Sequence, residues 1–122
     1  MQRILLLFIL FCFSCVSFAQ SPVALIPYRK GNLWGFSDIN GSLKIPALYD
    51  SVSLFSSDYL RKENKIIHCA IVVKNGNYGV IDENNNILIQ PDFKSIQEEY
   101  LGESFKLFIV KDKNNKYGIA SL

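Results

Sequence analysis

Apolar side chains recur at every second position along most of this chain, and the stretches that carry the alternation are separated by turn-forming residues. A period of two puts successive side chains on opposite faces, so the pattern predicts β-strands rather than helices. The clearest hairpin is Ala70-Ile71-Val72-Val73-Lys74, the dipeptide Asn75-Gly76, and then Asn77-Tyr78-Gly79-Val80-Ile81-Asp82. Asn-Gly readily takes positive φ at both central positions of a type I′ turn, whose twist matches that of paired strands. A second hairpin follows, with residues 82–86 as its loop before Ile87-Leu88-Ile89, and Asp38-Ile39-Asn40-Gly41 holds the same place earlier in the chain. Gly41 and Asn85 are the residues expected to adopt the left-handed conformation there. The last strand pair joins 105–110 to 116–121 through the loop 111–115.

The predicted elements repeat. The segment 34–52, opening on Trp34-Gly35-Phe36, is echoed by 78–96, opening on Tyr78-Gly79-Val80, and Tyr117-Gly118-Ile119-Ala120 opens a third copy. The aromatic-Gly pairs are spaced by 44 and 39 residues (78 − 34 and 117 − 78), a spacing at which units stack on their neighbours. Each full unit then carries a proline, Pro46 or Pro91, expected at a strand end or bend, followed by an aromatic, Tyr49 or Phe93. Residues 24–29 are expected to pair with 33–36 at the start of the array, with Pro27 at an edge position. The polar segments 56–64 and 97–104 read as inter-repeat loops, with a helical turn allowed at 95–101. The fold expected is all-β: a small, twisted antiparallel sheet built from about two and a half β-hairpin repeats (24–55, 69–96 and 105–122) over an aromatic core, with little or no helix. Trp34, Tyr78 and Tyr117 are expected to pack while the adjoining glycines let a neighbouring backbone come close. Tyr28, Tyr49, Tyr59 and Tyr100 lie nearer the loops and are the better candidates for an exposed contact surface.

These residues resemble the WG-repeat family, named for a Trp-Gly or Tyr-Gly dipeptide followed by a strand, an Asp-containing turn, a short strand, a proline and an aromatic. Trp34-Gly35, Asp38, Asn40-Gly41, Ile45-Pro46 and Tyr49 match in the first unit; Tyr78-Gly79, Asp82, Ile89, Pro91 and Phe93 match in the second; Tyr117-Gly118 match in the third. Asn85 departs from the usual turn glycine, and Lys94 stands where the first unit has Asp50. The resemblance implies a bacterial, β-rich, often exported protein. It implies architecture and location more than chemistry.

Composition changes the picture at the N-terminus. Met1-Gln2-Arg3, an apolar run over residues 4–13, and Ser17-Phe18-Ala19 have the order of a secretory signal peptide, with cleavage predicted between Ala19 and Gln20. The domains are therefore read as a signal peptide at 1–19 and a repeat β domain at 20–122, secreted or periplasmic. The apolar run is shorter than the roughly 20 residues that span a bilayer, so no membrane insertion is expected after cleavage. A lipid anchor at Cys15 ranks lower, because Phe13 is bulky for that motif. Cys12 and Cys15 fall in the signal, which leaves Cys69 as a single cysteine, expected to be a small buried hydrophobe. Loss of Arg3 takes the formal charge from +2 to +1 (+2 − 1), too small for an electrostatic footprint on nucleic acid.

Candidate chemistry is sparse. Asp82-x-Asn84-x-Asn86 imitates the start of a calcium loop, but Ile87 replaces the bend glycine and Phe93 the bidentate Glu, so a turn is expected instead. Glu98, Glu99 and Glu103 read as solvated loop charge. His68 is the single histidine; no nucleophile elbow accompanies it, and one His and one Cys are too few for zinc. No catalytic, cofactor-binding or metal-ligating residue is assigned, and no cofactor. The reading is an exported non-enzymatic repeat module that binds another macromolecule, a protein or surface partner of unspecified identity. Alternatives are a structural spacer and, behind it, an enzyme with a site near His68. Specific function is expected in what the repeats do not share, the segments 56–64 and 97–104.

Overall fold

The computed structural model describes residues 24–60, 63–102 and 105–122; the signal-peptide reading of 1–19 and the start of the β domain at 20–23 lie outside them. Every element among the described residues is a strand. In chain order they are β1 (Ile26–Lys30), β2 (Leu33–Ser37), β3 (Leu43–Tyr49), β4 (Ser51–Val52), β5 (Ser56–Leu60), β6 (Lys65–Lys74), β7 (Asn77–Asp82), β8 (Ile87–Phe93), β9 (Ser95–Leu101), β10 (Phe105–Lys111) and β11 (Tyr117–Ala120). All pairings are antiparallel. The all-β expectation holds, but the strands form three sheets instead of one: an N-terminal sheet β1-β2-β3, a central sheet β4-β6-β7-β8 with β5 also on β6, and a C-terminal sheet β11-β10-β9. None of the three is closed into a barrel.

The division into sheets follows from how each repeat ends. In the first unit β3 leaves the N-terminal sheet at Asp50, and the next residues, β4, pair with β6 of the central sheet. In the second unit β8 leaves the central sheet at Lys94, and β9 pairs with β10 of the C-terminal sheet. One sheet thus hands the chain to the next, and the units stack instead of extending side by side.

The central sheet is packed on both faces. Ala70, Val72 and Ile81 join Phe36, Ile45 and Tyr49 of the N-terminal sheet in one buried cluster. Cys69 and Val80 point the other way, to Ile96, Phe108 and Val110 of the C-terminal sheet. Alternation along a strand with two buried faces gives an unbroken apolar run, which is why 69–73 contains no polar residue.

The turns behave as their residues require. Asn75 and Gly76 have φ of 52° and 77°, as a type I′ turn demands, and Gly41 and Asn85 sit at 81° and 65°. Asp38 Oδ1 accepts from the backbone N–H groups of Asn40 and Ser42, each at 2.9 Å; Asp82 Oδ1 does the same for Asn84 and Asn86 at 2.9 and 2.8 Å. Asp112 builds the identical turn between β10 and β11, accepting from Asn114 and Lys116 at 2.8 and 2.9 Å. One turn design therefore serves two different hairpin positions. The Ser42 N–H, against some opposition from burial, and then Lys44 hold the Asp38 carboxyl below its ordinary value.

Several expectations need correction. Residues 56–60 and 97–101 are strands, not loops, and 95–101 has no helical turn; residues 61–62 and 103–104 of the expected loops, Glu103 among them, lie outside the described residues. Pro46 and Pro91, expected at a strand end or bend, lie inside β3 and β8 at a bulge, the second of the two. Both strands are edge strands, and both prolines fall where the pairing register shifts: the step from 34 to 36 on β2 faces 45 to 49 on β3, and 78 to 80 on β7 faces 89 to 93 on β8. A residue without an N–H is tolerated at such a bulge on an edge. Tyr49, expected at the surface, is only 5% exposed.

Candidate functional site

Two places combine unusual chemistry or exposure: a polar cluster closed between the central and C-terminal sheets, and the open flank of β11.

The cluster is built where strands of successive units meet, β5 and β6 on one side and β9 and β10 on the other. Ser56, first residue of β5, lies opposite Cys69 on β6. Across the sheet gap Lys106 enters from β10 at 4% exposure, on the same strand face as buried Phe108 and Val110. Its Nζ donates to Ser56 Oγ at 2.8 Å and to Cys69 Sγ at 3.3 Å, and lies 3.5 Å from Glu98 Oε1 of β9. Ser56 Oγ is in turn 3.0 Å from Glu98 Oε1, and Tyr100 donates its hydroxyl to Glu98 Oε2 at 3.3 Å. The ammonium also stands 5.3 Å from the centre of the Phe108 ring, a cation–π contact.

Burial alone would push the Lys106 pKa down, but the Cys69 sulfur and the Glu98 carboxylate prevail and raise it. Burial pushes the Cys69 thiol up, with Lys106 opposing. The directions favour an ammonium at Lys106 and a protonated thiol at Cys69. A protonated lysine cannot take a proton from Ser56, and a neutral thiol is a poor nucleophile. The geometry suits a buried ion pair whose donors are consumed inside the fold.

His68 is on the opposite face of β6 from Cys69. Its Nδ1 is 3.3 Å from Ser57 Oγ, an exposed contact. Among the described residues no carboxylate hydrogen-bonds the ring, so the orienting third member of a triad is missing from this pair. A separate depression of about 380 Å³ lies beside β7 and β8, lined by buried Tyr49, Val72 and Ile81 and by exposed Lys74, Asn77 and Asp92.

The flank of β11 is laid out by the repeat itself. In the first two units the third strand crosses the aromatic-Gly pair so closely that a glycine is obligatory. A Cβ on Gly79 would come within 2.7 Å of the Ile89 carbonyl oxygen and 2.9 Å of Pro91, and one on Gly35 would meet the Ile45 carbonyl at still closer range. At Gly118 the same atom would meet only Val110 Cγ2, at an ordinary 3.6 Å. No described strand runs along the outer edge of β11. Tyr117 and Ile119 are accordingly 70% and 71% exposed, whereas Phe36 and Val80, which hold the place of Ile119, are fully buried.

The sequence pattern of the WG containing repeat matches residues 34–78 and again 78–117, each match running from one aromatic-Gly pair to the next. The chain belongs to the WG containing repeat family. No curated protein and no solved structure matches it.

The WG dipeptides divide their labour differently from the expectation that the aromatics fill the core. Trp34 and Tyr78 are half-buried and Tyr117 is exposed; the fully buried rings are Phe36 and Phe108. The Arg29 guanidinium lies 5.6 Å from the Trp34 ring centre, and Lys111 Nζ 5.2 Å from that of Tyr117. The glycine is the stricter half of the pair in the two WG units that have a third strand.

The departure at Asp50 and Lys94 also has a reason. Asp50 Oδ2 accepts the Gly76 N–H at 3.0 Å, and Lys94 Nζ donates to Asn115 Oδ1 at 3.1 Å. Each side chain serves the turn of the hairpin after it, and a turn offering a free N–H needs an acceptor while one offering an amide oxygen needs a donor.

Glu98 is not a solvated loop charge, and Lys106 is a member of the cluster that the sequence does not single out. The available signal was parity: Lys106 shares its strand face with Phe108 and Val110, but a lysine between Phe105 and Leu107 reads as the solvent face of that alternation.

Proposed function

We propose that this WG-repeat chain is an exported, non-enzymatic binding module that recognises another macromolecule outside the cytoplasm. The observation that carries the reading is the flank of β11, an edge strand with two large apolar side chains in solvent and a glycine that nothing in the described fold requires. Monomeric proteins usually protect such edges, and an unprotected one is a template for pairing. The non-enzymatic part is supported by the closed cluster, whose lysine is an ammonium with Ser56, Cys69 and Glu98 already around it. Export is supported by the residue order of 1–19. Membership in the WG family agrees with a module that supplies a scaffold.

Affinity capture from the envelope fraction of the producing cell, with the chain from Gln20 onward as bait, tests this reading. The expected result is a discrete partner that competes off with free protein. Recovery of background proteins alone, or localisation of the chain to the cytoplasm in fractionation, would overturn it.

A further inference from the structure

The first two WG units show what sits on the edge that β11 leaves open. In both, a seven-residue strand runs antiparallel to the WG strand in one register: the aromatic of the pair faces the closing aromatic (Trp34 with Tyr49, Tyr78 with Phe93), and the residue two further on faces an isoleucine (Phe36 with Ile45, Val80 with Ile89). The next residue faces an aliphatic one (Ser37 with Leu43, Ile81 with Ile87). Between isoleucine and aromatic each strand carries its proline and lays the isoleucine carbonyl over the glycine. Among the described residues the same fold therefore displays this seat twice filled and once open, with an aromatic, a glycine and an apolar residue on the WG strand each time.

We propose that β11 binds an extended segment of a separate polypeptide with the pattern aliphatic-x-Ile-x-x-x-aromatic and a proline between the isoleucine and the aromatic, added antiparallel as a fourth strand to the C-terminal sheet. By the register of the filled seats, the aromatic lies opposite Tyr117, the isoleucine opposite Ile119 and the leading aliphatic residue opposite Ala120. Main-chain hydrogen bonds to the free edge supply affinity, and the alternate side chains supply selectivity. The proline faces away as a stop, because a strand lacking that N–H is a poor template for further pairing. Gly118 is the selective element: its bare Cα admits the isoleucine carbonyl at a distance where any Cβ collides. A second copy of this chain is not the occupant, since its own strands of this type, β3 and β8, are already paired.

The proposal rests on the binding reading above and is tested apart from it. A fluorescent peptide of the β8 sequence, Ile-Leu-Ile-Gln-Pro-Asp-Phe-Lys, is titrated with the purified protein and followed by anisotropy. Saturable binding is expected, with a scrambled peptide silent. Gly118→Ala should weaken binding by at least about tenfold, because the added methyl occupies the place of the peptide carbonyl. Its melting temperature should not fall, as that methyl meets only Val110 at van der Waals distance. Absence of saturable binding, equal binding by Gly118→Ala, or equal binding of the scrambled peptide overturns the proposal. So does concentration-dependent self-association that Gly118→Ala abolishes, which would make a second copy the occupant. A captured envelope partner held equally by wild type and Gly118→Ala would leave the binding reading standing and remove strand addition.

Discussion

The buried cluster between the N-terminal and central sheets is apolar but for the Tyr49 hydroxyl, whereas the packing between the central and C-terminal sheets encloses a charge. The first interface is Phe36, Ile45, Tyr49, Ala70, Val72 and Ile81, with Phe55 edge-on to Phe36 at 4.7 Å between ring centres. Its polar atom, the Tyr49 hydroxyl, donates to Asn85 Oδ1 at 2.6 Å and so ties the third strand of one unit to the Asp turn of the next. The second interface puts Cys69 and Phe108 beside the Lys106 ammonium. Both are made by the same repeat, so the difference lies in side chains that the units do not share: Ser56 of β5, Glu98 of β9 and Lys106 of β10. A shared backbone plan thus leaves the chemistry of each layer to its unshared side chains. An apolar interface tolerates reshaping within its volume, while a charged one demands that every partner be present.

The largest effect belongs to the element common to both interfaces. Gly79→Val forces a branched side chain against the backbone of Ile89 and Pro91 on the central sheet, and should cost about 3 kcal/mol or more, read as a lowered chemical-denaturation midpoint. An unchanged midpoint would mean that the third strand is not seated on the WG strand as described.

The contrast itself is tested at Lys106. Lys106→Ala leaves the Glu98 carboxylate and Ser56 without their cation and opens a cavity, at an expected cost of roughly 2–4 kcal/mol. The double variant Lys106→Met with Glu98→Gln should recover most of that loss, because a well-filled neutral pair avoids the desolvation of two charges. If both variants were equally unstable, the charge would not be what distinguishes this interface.

A smaller change should follow at the apolar interface. Tyr49→Phe removes the hydroxyl that bridges to Asn85 and should lower stability by about 1 kcal/mol in a urea titration. A loss as large as that at Lys106 would erase the distinction between the two layers.

The smallest effect concerns pH and lies outside both interfaces. Asp38 has a carboxyl held below its ordinary 3.8, so its ionised form is favoured in the fold and contributes stability above that value. The contribution fades as pH falls below 3.8, because the unfolded chain binds the proton first. Wild type should accordingly be more stable than Asp38→Asn at pH 7, with the gap narrowing below 3.8 in thermal melts across the acid range. A gap that stays constant with pH would show that the turn gains nothing from the charge.

Local chemistry was legible in the sequence wherever one residue type answers one geometric demand. Asn75-Gly76 has few alternatives to a tight hairpin, Asp38 and Asp82 precede backbone N–H groups that need an acceptor, and Gly35 and Gly79 mark a place where no Cβ fits. The repeat made the strand order within each unit readable for the same reason. The number of sheets was not readable, because passage from one sheet to the next at Asp50 or Lys94 is a change of partner that leaves the period of two intact.

The polar cluster depended on more distant choices. Ser56 and Lys106 are 50 residues apart, and Cys69 and Lys106 are 37 apart; nothing in either neighbourhood says that the other will arrive. The sequence by itself determined the strands, their turns and the glycines where backbones touch, since these follow from φ, ψ and steric limits within a few residues. Only the tertiary structure decided which faces are buried, that a lysine lies among them, and that among the described strands one WG strand has a neighbour on one side alone. Burial and pairing are properties of the surfaces that segments far apart in the chain present to one another.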